Sequence, residues 1–293
     1  MAAGEIASPE RRELELYHRE FLEKPGDRGL AIDRYDLIDG EVPTLVVRPD
    51  PESGVSKRGT ILRGQLEKRG FQTRVYGEVE KLVVLLHGRN GRKEDLLPAA
   101  ERFCAVGFLC MIPDLPAHGE SKLSTVGYGA REFEQELAAG VADEVERVMG
   151  IEKLLRVLWG MSMGGSFAIH AAAKDSEMWE RMVIVSSFDT LGGVIDDSWA
   201  GGFRGLVDWM IEMRGGPVVG EVKPVDLLKE LKVPTLFVHG DADDLINLKR
   251  GEALFRASGG EKRFLTVEGG THSNVLVTEA PVYAAMAEWL LEE

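Results

Sequence analysis

The chain has 293 residues, 44% apolar and 29% charged, with 35 Lys and Arg against 49 Asp and Glu for a net charge of −14. This composition excludes a disordered chain, and the negative surface disfavours nucleic acid as a partner because it repels a phosphate backbone. Apolar runs such as Leu82–Leu86 are far shorter than the roughly 18–20 residues of a membrane-spanning helix, so no span is expected.

Met1 to Glu23 is rich in Glu and Arg and lacks an apolar signal core, so no secretory signal is expected. Leu14, Tyr17, Phe21 and Leu22 recur at helical spacing, which predicts a helix from Pro9 to Lys24, closed by Pro25-Gly26. Two extended stretches follow, Ile32 to Ile38 and Thr44 to Val47, with Asp39-Gly40 as the hairpin signal between them. Pro49 to Gly77 is less regular and the stretch from Arg48 to Lys93 is basic, with a solvated helix expected near Ile61–Arg69. These features predict that residues 1–80 form a helix and an antiparallel extension of a sheet.

From Lys81 onward strands and helices alternate. Strands are predicted at Leu82–Leu86, Phe108–Ile112, Leu154–Trp159, Met182–Val185, Thr235–Val238 and Arg263–Val267. Helices are predicted at Glu94–Val106, Phe133–Met149, Met163–Ala173, Leu248–Ala257 and Val282–Leu291. Apolar strands alternating with amphipathic helices imply an α/β fold, with a mostly parallel sheet covered on both faces. Residues 81–293 make that domain. Residues 189–233 interrupt the alternation after the sixth strand and read as a small cap with Gly-pair joints. Cys104 and Cys110 are too few for a disulfide framework, and no Cys/His cluster has zinc-ligand spacing. Both read as buried small hydrophobes, and a cytoplasmic chain is the default expectation.

Gly160-Met161-Ser162-Met163-Gly164-Gly165 follows a buried strand and opens an Ala-rich helix. Glycines two before and two after Ser162 leave room for a tight strand-to-helix turn, which presents the hydroxyl as a nucleophile. Such a hydroxyl needs a base and a group to orient it. Of six histidines, His18 and His170 read as structural, His87 and His118 lie beside glycines in loops, and His239 ends a strand. His272, on a Gly-rich loop after the last strand, is the preferred base. For the acid, Asp243 ranks ahead of Asp241 and Asp244, with Asp189 outside them. The chain order Ser162, Asp243, His272 matches one known order of this constellation.

Those motifs, together with His87-Gly88-Arg89-Asn90-Gly91, Asp114-Leu115-Pro116-Ala117-His118-Gly119-Glu120-Ser121, His239–Asp243 and Gly270–His272, resemble the α/β-hydrolase superfamily of serine hydrolases. The resemblance covers Leu82 to Glu293 and implies a Ser162–His272–Asp243 triad. It also implies an oxyanion hole from the backbone N–H groups of Arg89 and Met163, and no metal or organic cofactor. Asn247 stands where relatives often have Pro. Ser162 argues against dehalogenases and epoxide hydrolases, which carry Asp there.

The expected activity is hydrolysis of a carboxylic ester of small or medium acyl chain. Aminopeptidase-like or oligopeptidase-like cleavage, thioester hydrolysis and acyl transfer remain alternatives, and a non-catalytic receptor ranks last. The expected partner is a small-molecule substrate, with the oligomeric state left open. Trp199, Phe203 and Trp209 are candidates to line a substrate pocket, against the reading that they pack the cap onto the core. Arg89, Arg92 and Lys93 are candidates to bind an acidic substrate group, against ion pairing with Glu94 and Asp95.

Overall fold

The computed structural model describes residues 3–277 and 281–292, and for residues 3, 4, 199 and 200 the backbone alone. The strands in chain order are β1 (Leu30–Leu37), β2 (Val42–Pro49), β3 (Lys81–Leu86), β4 (Phe108–Pro113), β5 (Leu155–Met161), β6 (Arg181–Val185), β7 (Thr235–Gly240) and β8 (Lys262–Val267). They form one sheet in the order β1-β2-β4-β3-β5-β6-β7-β8. β3 to β8 run parallel, whereas β2 pairs antiparallel with β4, and β1 antiparallel with β2.

The central strands are apolar at every position because helices cover both faces. Leu82, Val84 and Leu86 of β3 face the layer of α5 (Glu132–Met149) and α6 (Met163–Lys174). Val83 and Leu85 face the layer of α3 (Lys57–Lys68), α4 (Leu97–Cys104) and α11 (Val282–Leu291). The period-two alternation of a strand thus divides the core into two layers. Cys104 and Cys110 are free and buried in the second layer.

The chain runs from β3 outward to β4 and then returns across β3 to β5. Loops leaving β3 and β5 at their C-terminal ends therefore diverge, and open sheets of this kind place a crevice there. The insertion after β6 carries α7 (Leu191–Asp196), α8 (Arg204–Glu212) and α9 (Pro224–Leu227) before β7. α10 (Leu248–Ala257) follows β7, capped by Asn247, whose side chain accepts from Lys249 N at 3.1 Å.

The N-terminal region departs from expectation. The predicted helix over residues 9–24 is helical only as α2 (Leu16–Glu23), and a separate α1 spans Ala3–Ala7. Pro9 disfavours helix at Ser8, so the two cannot join. Between them the chain is held by distant partners: Arg11 donates to Gly119 O and Leu123 O, and Arg12 to Asp95 at 3.0 Å. Ile6 and Ala7 are buried, and α1 packs on α8 of the insertion. The predicted helix over residues 94–106 is a 3-10 turn, Lys93–Leu96, followed by α4, with Pro98 in its first turn. The solvated helix expected near residue 61 begins four residues earlier, where Ser56 caps α3 by accepting from Gly59 N.

Candidate active site

Ser162 lies between β5 and α6 with φ 54° and ψ −118°, a backbone conformation costly for a side-chain-bearing residue. It is held by a hydrogen bond from its own N–H to Val185 O (2.8 Å) and by Ser187 Oγ, which donates to Ser162 O (2.8 Å). The flanking glycines are required by close approach. A β-carbon on Gly160 would collide with Gly164 O, and one on Gly164 with Leu86 O. The turn points Ser162 into a cavity of about 530 Å³ that His272 also lines.

His272 stands on the loop after β8. Its Nδ1 is 2.8 Å from Asp243 Oδ2, while Asp243 Oδ1 accepts from Leu245 N (3.1 Å) and Ile246 N (2.8 Å). Burial pushes the Asp243 carboxyl up, but the hydrogen bond and charge of His272 outweigh it, leaving the carboxyl below its ordinary value. The other aspartates have different tasks. Asp241 accepts from Gly269 N at 2.7 Å, bracing the loop that carries His272. Asp244 is exposed, and Asp189 pairs with Arg250 at 3.1 Å.

Across the crevice, the loop after β3 approaches the serine closely. A β-carbon on Gly88 would sit 3.9 Å from Ser162 Oγ. Gly91 N donates to Gly88 O at 3.0 Å, closing a turn with Asn90 at φ 62°. The amides of Arg89 and Met163 make no turn, cap or side-chain hydrogen bond among the described residues. Met163 N opens α6, where backbone N–H groups and the helix dipole favour negative charge.

The remaining histidines are structural. His87 Nε2 accepts from Leu115 N at 3.1 Å and its Nδ1 donates to Gly88 O at 2.9 Å, tying the loops after β3 and β4 together. His118 packs edge-on to it, with ring centroids 5.2 Å apart. Burial pushes His87 down to about 4 and His118 down to about 3, so both are neutral at ordinary pH. His239 Nε2 donates to Ile246 O at 2.8 Å, and His170 Nδ1 to Ser166 O at 2.8 Å inside α6. His18 is buried in α2.

The substrate-binding candidates fare differently. Phe203 and Trp209 are 63% and 59% exposed and stand outside the cavity, neither lining it nor packing the cap onto the core. The amphipathic stripe of α8 buries Ile211 instead, which turns Trp209 outward. The Trp199 side chain lies outside the described residues. Arg92 is not a cavity residue: it is buried against Glu94 (Nε to Oε2, 2.5 Å) and donates to Arg12 O at 3.0 Å. Lys93 is closed inside, bonding Asp114 Oδ2 at 2.7 Å and also Glu94 and Glu120. Asp114 thereby anchors the loop after β3, since its Oδ1 also accepts from Lys93 N at 2.8 Å.

The walls come from segments with no motif. Phe188, Leu191 and Val194 enter from the start of the insertion, Leu276 from beyond the histidine, and Ile6 from α1. Ile6 lies more than 150 residues from Ser162 in sequence, and no local pattern connects the two. Among the described residues no His, Cys, Asp and Glu group is arranged to hold a metal ion, and no helix is long and apolar enough to cross a membrane.

A family model described as serine aminopeptidase, S33, matches residues 77–209, which include Arg89 and Ser162 but end before Asp243 and His272. An uncharacterized protein of Bacillus subtilis (strain 168), YqkD, is 24% identical over 209 residues, 65% of this chain and 64% of the relative. This chain thus spans somewhat under two thirds of that relative's length. Among solved structures, the 2,6-dihydroxy-pseudo-oxynicotine hydrolase is similar with a TM-score of 0.62 at 18% identity, covering 89% of this chain and 67% of that one. The Pyrococcus horikoshii acylaminoacyl peptidase gives a TM-score of 0.60 at 15% identity, covering 89% of this chain and 40% of that one. With its eight-stranded, mostly parallel sheet and these likenesses, the chain has the fold of the α/β-hydrolases.

Proposed function

We propose that the protein is a serine hydrolase that cleaves a carboxylic ester of small or medium acyl chain, with Ser162 as nucleophile, His272 as base and Asp243 as its orienting carboxylate. The observation that carries this reading is the 2.8 Å bond from Asp243 to His272 Nδ1, beside a serine held at positive φ in the same cavity. That bond fixes the tautomer with Nε2 free to take the serine proton. Ser162 Oγ attacks the carbonyl carbon while His272 accepts its proton, and Asp243 stabilises the imidazolium. The backbone N–H groups of Arg89 and Met163 hold the oxyanion, on the order of 3–4 kcal/mol each in comparable sites. Collapse breaks the bond to the alcohol, which leaves with the proton from His272. Water then attacks the acyl-serine, giving up one proton to His272, and the free acid and Ser162 hydroxyl are restored. In this reading residues 81–293 form the catalytic domain, with 189–233 as its cap, and residues 1–80 extend the sheet and close the cavity.

A peptide-cleaving reading takes support from the family model's description. An aminopeptidase needs a free carboxylate for the substrate amine, whereas Asp95 of this cavity is already paired with Arg12 at 3.0 Å. That observation favours the ester. Thioester hydrolysis and acyl transfer would use the same groups.

The test is a panel of p-nitrophenyl esters from acetyl to dodecanoyl with aminoacyl p-nitroanilides alongside, run on the protein and on Ser162→Ala. Ester turnover should fall by roughly 10⁴-fold or more in the variant, as for other removed triad nucleophiles. Turnover of the anilides alone would move the reading to a peptidase, and activity surviving in Ser162→Ala would overturn it.

A further inference from the structure

Three cations lie within five residues of the loop after β3, and they have unlike fates. Arg92 is bonded to Glu94 and to Arg12 O, and Lys93 to Asp114, Glu94 and Glu120. Arg89 makes no hydrogen bond or ion pair among the described residues, and its Nη1 is shielded from solvent without a partner. It also lines the cavity that holds Ser162 and His272.

The other charged side chains of the cavity cancel, because Arg12 and Asp95 pair with each other at 3.0 Å. Arg89 is therefore the uncompensated charge in a chamber whose remaining walls are largely apolar, including Phe188, Leu191, Val194 and Leu276. A guanidinium N–H removed from water with no acceptor is unfavourable, and apolar walls strengthen its attraction for an anion. The planar fork of an arginine suits a carboxylate, with two parallel N–H···O bonds. Because Arg89 also offers its backbone N–H beside Ser162, the anion it would bind lies within one arginine side chain of the scissile carbonyl.

We propose that Arg89 is a specificity-determining residue of the hydrolase proposed above, and that its guanidinium binds a carboxylate carried by the substrate. The preferred substrates are then carboxylate-bearing esters, either monoesters of dicarboxylic acids or esters of a carboxylated alcohol, over neutral esters of the same shape. The inference rests on the serine-hydrolase reading for its chemistry, while the binding of a carboxylate rests on Arg89 alone.

The experiment measures kcat/KM for matched pairs. On the acyl side the pair is p-nitrophenyl hemiglutarate and p-nitrophenyl isoheptanoate, which replaces the carboxylate by an isopropyl group. On the alcohol side it is p-carboxyphenyl butyrate and p-isopropylphenyl butyrate. The anionic-to-neutral ratio should drop by about tenfold or more in Arg89→Met for one of the pairs, with partial recovery in Arg89→Lys. Using the ratio divides out any disturbance of the neighbouring backbone, and the pair that responds tells which side carries the anion. Calorimetry gives a readout free of turnover: glutarate or p-hydroxybenzoate should bind Ser162→Ala and lose that binding in the Ser162→Ala, Arg89→Met double variant. Ratios and binding that ignore Arg89 overturn the inference and leave the hydrolase standing. Failure of a fluorophosphonate to label Ser162, with no ester cleaved, overturns the hydrolase reading, and the calorimetry still decides Arg89.

Discussion

The floor and the roof of the cavity are built by different rules. The floor is assembled from strand ends: the turn after β5, the loop after β3, and the loops after β7 and β8. There most polar side chains are tied down, with Asp243 using both oxygens and His87 both nitrogens, and the guanidinium of Arg89 is the exception. The roof draws Ile6 from one end of the chain and Leu191 from α7, and meets the ligand with apolar surface. A floor of directed hydrogen bonds can place charge to fractions of an ångström. A roof of dispersion contacts sets size and hydrophobicity instead, and tolerates substitution of similar volume. The floor is where chemistry should be lost on mutation, and the roof is where selectivity should shift.

Asp243→Asn tests the floor most severely. It preserves shape but reverses one hydrogen-bonding role toward His272, so kcat should fall on the order of 10³–10⁴-fold with little change in the melting temperature. A loss of only a few fold would put the orienting role elsewhere and break the contrast.

The neutral pair His87 and His118 gives the floor a pH signature. Their folded values, about 4 and about 3, lie below the ordinary 6.5. Above 6.5 both states are neutral and the stability is complete. As the pH falls below it, the unfolded chain takes up protons that the folded one refuses. Stability should therefore decline toward pH 4, with a contribution approaching about 1.4 kcal/mol per pH unit from each histidine. Urea unfolding at pH 7, 6 and 5 reads this slope, which His118→Gln should make shallower. A slope unchanged by His118→Gln would remove that histidine from the account.

The roof should respond in the opposite sense. Leu191→Ala opens the cavity and is expected to cost about 2–4 kcal/mol of stability, since the side chain is nearly buried. Its ester panel should show the chain-length optimum moving to longer acyl groups. An unmoved optimum would mean the acyl chain leaves the cavity by another wall.

The smallest effect is expected on the outer surface of the insertion. Phe203→Ala and Trp209→Ala should change stability by no more than about 0.5 kcal/mol and leave chain-length preference unaltered, because both rings face away from the cavity. A shift in preference from either would extend the roof to α8 or the turn before it.

The elements most legible in sequence were those whose pattern is local. Runs such as Leu82–Leu86 announced strands because sheets covered on both faces need apolar residues throughout, and the α10 and α11 boundaries agree with observation. The turn at Ser162 was equally legible, since its glycines answer to collisions within a few residues. The N-terminal stretch misled because Leu14 and Tyr17 have helical spacing while Arg11 and Arg12 are claimed by partners more than 80 residues away. The sequence ranks Asp243 over Asp241 although both follow β7, and the structure turns Asp243 toward His272 and Asp241 toward Gly269 N.

Sequence by itself determined the sheet, the order of its strands along the chain, and the chemical identity of a serine, a histidine and an aspartate at strand ends. Each of those follows from side-chain periodicity or from short-range backbone sterics. Only the tertiary structure decided which apolar residues enclose the serine, and that Arg92 and Lys93 are spent on Glu94 and Asp114 while Arg89 is left unpaired. Burial and ion pairing depend in large part on groups distant along the chain: Arg92 reaches Arg12 O, and Lys93 reaches Asp114 and Glu120, only when β3, β4 and the N-terminal segment come together.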